Sequence, residues 1–194
     1  MHFLCHRSEA KNSGLSYLHP QDLWFIQVPM AIGSTTVEVI ASVDPKRLWM
    51  AFAKDSTNFL PKALPNIYSS ASIIEGDGGV GSIKKFNFTD ANKDLWYDKE
   101  RVEELNEKEL LYRYSTLGKG VLMDEKLKSG KFEMKFNPIK FDDGDECLLV
   151  WTSDFETFSE SPPSEAKIQE LRAEVVAMVK MVESYLLSNP QMYN

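Results

Sequence analysis

Histidine is missing from residues 30–194, because His2, His6 and His19 all fall before Met30. Proton transfer in that part of the chain must therefore rely on carboxylates, tyrosines or lysines. Cysteine is nearly as scarce. Cys5 lies in an irregular N-terminal segment and Cys147 in a strand-like one, so no structural disulfide is expected and the usage suits a reducing compartment. Cys147 reads as a small buried hydrophobe and not as a reactive thiol. No apolar run approaches the ~20 residues of a membrane-spanning helix, and no membrane partner is expected. Basic excess is absent as well: 22 Lys and Arg stand against 29 Asp and Glu, a net charge of -7. Arg7 and Lys11 cancel Glu9 and Asp22, so the whole excess sits on residues 30–194. A domain of that sign repels phosphate, which argues against nucleic acid as a partner.

What is present is an ordinary globular balance, 43% hydrophobic and 26% charged, on a chain long enough for one core and too short for two. Residues 1–29 show no helical or strand period and read as a disordered or non-native leader, with the folded domain spanning 30–194. The leader lacks the long apolar stretch of a secretory signal. Cys5, His6 and His19 match no metal-ligand spacing, so no metal site is expected.

Thr35–Val43 alternates apolar and polar residues and is rich in β-branched types, which predicts a strand. Asp44-Pro45 supplies an N-cap and a first-turn proline for a short helix with Leu48, Trp49 and Phe52 on its apolar face. Ser56-Thr57-Asn58 opens a second short helix that ends near Pro65. Six further strands follow at Ser69–Glu75, Gly81–Phe88, Leu95–Glu104, Leu110–Leu117, Lys131–Phe136 and Glu146–Phe158, with a turn at Asp142–Asp145. After Ser161-Pro162-Pro163-Ser164, a long helix carries Ile168, Leu171, Val175, Met178, Val182 and Leu186 at spacings of three and four, one helical face. Consecutive strands with segregated helices predict an α+β fold on an antiparallel sheet.

The stretch Gly76-Asp77-Gly78-Gly79-Val80-Gly81 invites a phosphate-loop reading, but it ends in Gly81-Ser82-Ile83 where a Walker motif needs GK[ST]. Ser82–Phe88 then alternates as a strand, so no helix N-terminus follows to hold a pyrophosphate. A glycine-rich hairpin is the favoured reading, with Lys84 and Lys85 beyond it as weak attractants for an anion.

Three stretches together resemble the class-10 pathogenesis-related proteins, the family of the major birch pollen allergen. They are LPKALP at 60–65, IEGDGGVGSIKK at 74–85 and VESYLL at 182–187 with the terminal Tyr193-Asn194. The similarity runs from about Ala31 to Asn194. It implies the helix-grip fold shared with START domains: a seven-stranded curved antiparallel sheet around a long C-terminal helix, braced by two short helices between the first two strands. It implies a plant defence-related, monomeric carrier of small hydrophobic or amphiphilic ligands such as flavonoids, cytokinins and other hormones. No cofactor is implied, and the compartment is the cytoplasm, with the nucleus as an alternative.

In that register the inward strand positions are Phe86 and Phe88, Leu95 and Tyr97, Tyr112 and Tyr114, and Phe132 and Met134, each pair two apart as one sheet face requires. Phe52, Leu171, Val175 and Met178 face them from the helices. Core packing explains any one of these alone. The phenols of Tyr97, Tyr112 and Tyr114 additionally need hydroxyl partners, which a cavity supplies. Glu174 lies on or beside the inward helical face; it is read either as a solvent-reaching edge residue or as a polar anchor for a ligand amine or hydroxyl.

Catalysis is disfavoured. The norcoclaurine synthases share this fold, and their essential lysine is matched here by Val150 in LLVWTS. The abscisic-acid receptors share it too, but the loops matching their gate and latch read TDANKD and TLGKGV, which leaves hormone binding open and makes phosphatase inhibition doubtful. A ribonuclease activity attributed to the family would rest on Lys84, Glu183 and Tyr185 in an acidic domain without histidine.

Overall fold

The computed structural model describes residues 31–89, 97–117, 121–122, 125–141, 144–158 and 161–194. The leader, and Leu95 with it, lie outside the described residues. Eight strands form one antiparallel sheet system: β1 (Ala31–Ala41), β2 (Tyr68–Glu75), β3 (Ile83–Phe88), β4 (Tyr97–Asn106), β5 (Leu111–Thr116), β6 (Val121–Leu122), β7 (Glu125–Phe141) and β8 (Gly144–Thr157). Seven of them run in the order β1-β8-β7-β5-β4-β3-β2, and the two-residue β6 pairs only with β7. The α+β class and the seven-stranded curved sheet are as expected. The longest ribbons exceed their predicted lengths, since β7 and β8 pair from Leu127↔Thr157 through to Phe141↔Gly144. Lysine, glutamate and glycine crowd Glu125–Lys131 and Pro138 lies near the hairpin end, which hides the alternation in the sequence.

Between β1 and β2 the chain forms α1 (Pro45–Trp49), which continues as a π-helical turn over Met50–Lys54, and then α2 (Ser56–Ala63). The start of α1 follows the sequence logic. Asp44 Oδ1 accepts from the Lys46 and Arg47 amides at 2.9 and 3.1 Å, with Pro45 in the first turn where its missing N–H costs nothing. The second helix opens at Ser56 as expected, with Asp55 in the N-cap position and its carboxylate engaged by Asn58 Nδ2 at 2.7 Å.

Helix α3 (Glu165–Ser188) is capped by Ser164 and buries Leu171, Val175, Val179, Val182 and Leu186 against the rest of the domain. Its end is tied to α1 by Arg47, whose guanidinium donates to the carbonyls of Leu186, Asn189 and Met192 at 3.0–3.1 Å. The Leu186 and Asn189 carbonyls also accept the Asn189 and Met192 amides, so the guanidinium adds a second donor at the helix end, where a cation suits the negative end of the dipole. Tyr193 then ties the C-terminus to α2 by donating to Asp55 Oδ2 at 2.5 Å and packing on Phe59. Among the described residues no helix is long and apolar enough to cross a membrane.

The connection between β2 and β3 is a hairpin, as the glycine pattern predicts. Gly76, Gly78 and Gly81 have φ of 83°, 97° and 86°. A Cβ on Gly76 would lie 2.3 Å from Ser82 Oγ, so glycine is required there on both counts. The amides of the loop already have acceptors: Gly78 N–H donates to Ser82 Oγ and Gly79 N–H to Asp77 Oδ1, both at 2.9 Å. The Gly79 amide in turn holds the Asp77 carboxyl below its ordinary value.

Candidate functional site

The concave face of the sheet, the π-helical turn, α2 and α3 line a partly open cavity of about 130 Å³. Its walls are built by strand alternation. Tyr68 comes from β2, Phe86 and Phe88 from β3, Tyr112 and Tyr114 from β5, Met134 from β7 and Trp151 from β8. Helical residues close it: Phe52 on the π-helical turn, Leu60 on α2 and Met178 on α3. The rings contact one another in three groups. Tyr68 stacks on Phe88 at 5.4 Å and tilts against Phe86, while Tyr112, Tyr114 and Phe132 form a continuous stack at 5.3 and 4.8 Å. Phe52 meets Trp151 edge-on at 6.0 Å.

β4 supplies two carboxylates to this aromatic chamber, Asp98 and Glu100. Glu100 is 7% exposed and accepts from the Tyr112 hydroxyl at 2.7 Å. Behind Tyr112 lies Lys84, only 1% exposed. Its ammonium donates to the Ala53 carbonyl at 2.5 Å and to Ser56 Oγ at 2.9 Å, and it stands 4.9 Å from the centre of the Tyr112 ring. Ala53 is near the end of the π-helical turn, where a carbonyl needs an outside donor. Burial depresses the Lys84 ammonium pKa, with the charges of Glu100 and Asp55 opposing that shift. Burial also raises Glu100, with Lys84 and the Tyr112 hydroxyl opposing. Asp98 is pushed up to about 7, first by burial and then by the neighbouring charge of Glu100. The phenols of Tyr68, Tyr112 and Tyr114 are held well above their ordinary value by burial and by Glu100, so they are neutral at any physiological pH.

Of the residues expected to face inward, Phe52, Phe86, Phe88, Tyr112, Tyr114, Met134 and Met178 meet in this cavity. Phe132 is buried behind Tyr114, and Leu171 and Val175 belong to the core around the cavity and not to its lining. β4 departs from expectation. Its described inward positions are the even-numbered Asp98, Glu100 and Val102, whereas the expected pair was Leu95 and Tyr97. Leu95 and the Tyr97 side chain lie outside the described residues. Glu174 is exposed and takes no part in the lining. It lies about 100° around the helix from Val175, on the flank away from Val179 and Leu186, so the solvent-edge reading holds and the anchor reading does not.

Two further expectations need correction. Lys84 is buried and hydrogen-bonded inside the fold, so it is no anion attractant beside the glycine loop. Val150, the position used against a synthase reading, pairs with Glu38 at the sheet parity opposite to Leu149 and Trp151. Valine at that place therefore says nothing about the cavity. The residues of the disfavoured ribonuclease reading are dispersed: Glu183 accepts from the Ser42 amide and Lys180, Tyr185 packs edge-on against Phe59, and Lys84 has the partners named above. Cys147 is buried, with its thiol pushed up to about 12, as befits a packing residue. A larger, open groove of about 560 Å³ lies on the other sheet face, where Arg113 is already paired with Glu104 and Glu133.

Residues 30–189 match the Pathogenesis-related protein Bet v 1 family. The chain belongs to that family. Pathogenesis-related protein 2 of Petroselinum crispum is 31% identical over 166 residues, covering 84% of this chain and 100% of the relative. Major allergen Pru ar 1 of Prunus armeniaca is 30% identical over 165 residues, covering 85% and 100%. Among solved structures, Ara h 8.0201 superposes with a TM-score of 0.65 at 24% identity, over 81% of this chain and 99% of that one. Norcoclaurine synthase from Thalictrum flavum superposes with a TM-score of 0.61 at 18% identity, over 93% and 99%. At those identities the superpositions establish the Bet v 1 fold alone.

Proposed function

We propose that this Bet v 1 family member is a carrier that takes a small amphiphilic ligand into the chamber between sheet and helices. One observation supports this most: the aromatic walls surround an internal space that also receives the polar groups of Asp98, Glu100 and Trp151. A mere packing defect is lined by apolar atoms, whereas a binding site combines apolar walls with a few placed polar groups. The volume narrows the ligand class. About 130 Å³ is comparable with the roughly 150 Å³ cavity that accepts one benzene ring, and below the ~300–1,000 Å³ of sites for drug-sized molecules. One-ring ligands fit the described conformation, whereas flavonoids and cytokinins require it to widen, with half-buried Phe88 and Met178 as the side chains freest to move. A role in plant defence accords with the name of the Petroselinum crispum relative, and a cytoplasmic location is part of the proposal.

Calorimetric titration of the full chain with 4-methoxybenzyl alcohol tests the reading. Saturable one-to-one binding that is lost on filling the chamber by Met134→Trp is the expected result. Absence of saturable heat for this and for larger aromatic alcohols removes the carrier reading. An enzymatic reading is the less supported one, because the ammonium nearest the chamber, on Lys84, is already held by Ala53 and Ser56. The hormone-receptor reading turns on residues 89–94 and 116–121, which lie largely outside the described residues.

A further inference from the structure

We propose that the chamber selects a small aromatic cation, a protonated amine on one ring with a hydrogen-bond acceptor at its far end, and discriminates against carboxylate ligands. The inference deepens the carrier reading and rests on it. Two buried polar atoms carry the argument. Asp98 Oδ1 is an acceptor with no hydrogen-bond partner among the described residues, and Trp151 Nε1 is a donor with none. Trp151 is only 8% exposed, and both residues line the same chamber. Buried polar atoms are normally paired, and each unpaired one in a native fold needs an explanation. Here the two have opposite polarity and come from β4 and β8, three strands apart in the sheet order. A ligand that spans the space between them, donating at one end and accepting at the other, satisfies both.

The charge at the donating end follows from the neighbours. Glu100 on the same strand adds a second carboxylate, and its hydroxyl partner Tyr112 already uses one of its oxygens. The one buried cation described nearby, Lys84, sits behind Tyr112 and donates to Ala53 and Ser56. Lys84 compensates Glu100 across Tyr112, so an ammonium entering the chamber meets one acid without a described compensating cation, Asp98, and the faces of several rings, over which an organic cation is favoured. A carboxylate entering the same space meets like charge in a medium of low dielectric, where repulsion is strong. An acid of the abscisic type is a poor ligand on this account.

The test is a charge series of nearly constant shape: 4-methoxybenzylamine, 4-methoxybenzyl alcohol and 4-methoxybenzoate, titrated calorimetrically into the full chain at pH 8. The amine is expected to bind at least tenfold more tightly than the alcohol, and the benzoate more weakly than either. Asp98→Asn should abolish the advantage of the amine over the alcohol, and Trp151→Phe should weaken both. Glu174→Gln, on the exposed face of α3, should alter neither. Lowering the pH from 8 to 6 should weaken the amine alone, because Asp98 gains its proton across that range while the amine stays charged. Glu100, Lys84 on β3, Tyr68 on β2 and Tyr112 and Tyr114 on β5 are the other titratable groups around it, and the phenols are neutral throughout. Equal affinities for amine and alcohol at pH 8 in the wild-type chain overturn the inference and leave the carrier reading standing, a comparison that does not depend on any variant folding. No saturable binding of any of the three, nor of larger aromatic alcohols, removes both.

Discussion

Replacing Asp98 by asparagine removes a carboxyl that the fold holds at about 7 against an ordinary 3.8. The gap is about three pH units, and each unit corresponds to roughly 1.4 kcal/mol. The folded state keeps the Asp98 proton up to about pH 7, while the unfolded chain releases it near 3.8. Between those values the native state binds the extra proton, so the stability that protonation provides is complete below the unfolded value and is lost as pH rises through the folded one. Above pH 7.5 the native protein therefore bears the full cost of burying an ionised carboxylate beside Glu100. Asparagine keeps the shape and an oxygen acceptor but cannot ionise. Its stability relative to wild type should therefore rise by roughly 2–3 kcal/mol between pH 5 and pH 8 and then level off. Urea denaturation of both proteins at pH 5, 6, 7 and 8, followed by far-ultraviolet circular dichroism, gives the difference directly. The absolute curves include every other titrating group; their difference isolates Asp98. A difference that stays constant within about 0.5 kcal/mol over that range would refute the account of Asp98 as a buried acid titrating near neutrality.

Lys84→Met should destabilise the domain by roughly 2–4 kcal/mol, because the Ala53 carbonyl loses its donor and Glu100 loses the nearest compensating charge; an effect below 1 kcal/mol in the same denaturation assay would show that the ammonium is dispensable. Glu174→Leu should change stability by only a few tenths of a kcal/mol and leave the affinities for amine and alcohol ligands alone, since the residue is exposed and outside the lining; a selective loss of polar ligands in calorimetry would return it to the site. Starting the chain at Met30 should leave the melting temperature within a degree or two of the full chain, and a drop of several degrees would assign the first 29 residues a structural part.

Much of the fold was legible because it rests on local rules. Asp44-Pro45 starts α1, glycines with positive φ build the β2–β3 hairpin, and an apolar face at spacings of three and four marks α3. The polar half of the site was harder to read, and the reason is the usual equation of charge with solvent. Once Phe86 and Phe88 are placed inward, strand alternation places Lys84 inward as well. The signal was present in IKKFNF, but lysine is among the residues least often buried. β4 offers still less: in YDKERVEELN the inward set is Asp98, Glu100 and Val102, and Val102 is the single apolar marker of that parity. Aromatic and aliphatic residues at Leu95 and Tyr97 pull the assignment the other way. A register shift between Val102 and Glu104 further blurs the alternation.

The same residues that defeat a hydrophobicity reading distinguish the chamber from unfilled core. A leucine or valine at position 98 would bury apolar area, fill part of the 130 Å³ and avoid the cost of a carboxyl with a raised pKa. A chain shaped by stability alone would place such a residue between Tyr68 and Tyr114. Glu100 adds to that cost, and the network that offsets it occupies Tyr112, Lys84, Ser56 and a helix-end carbonyl. Local rules broken at one spot, with neighbouring groups arranged to tolerate the break, are characteristic of functional sites. The cost stored at Asp98 is recovered by whatever neutralises it, so a ligand carrying a positive charge should stabilise the fold more than its own contacts would suggest. Thermal stabilisation by an amine should accordingly grow from pH 6 to pH 8, while that by the matching alcohol stays level, and equal growth for both would break the link between the buried acid and ligand choice.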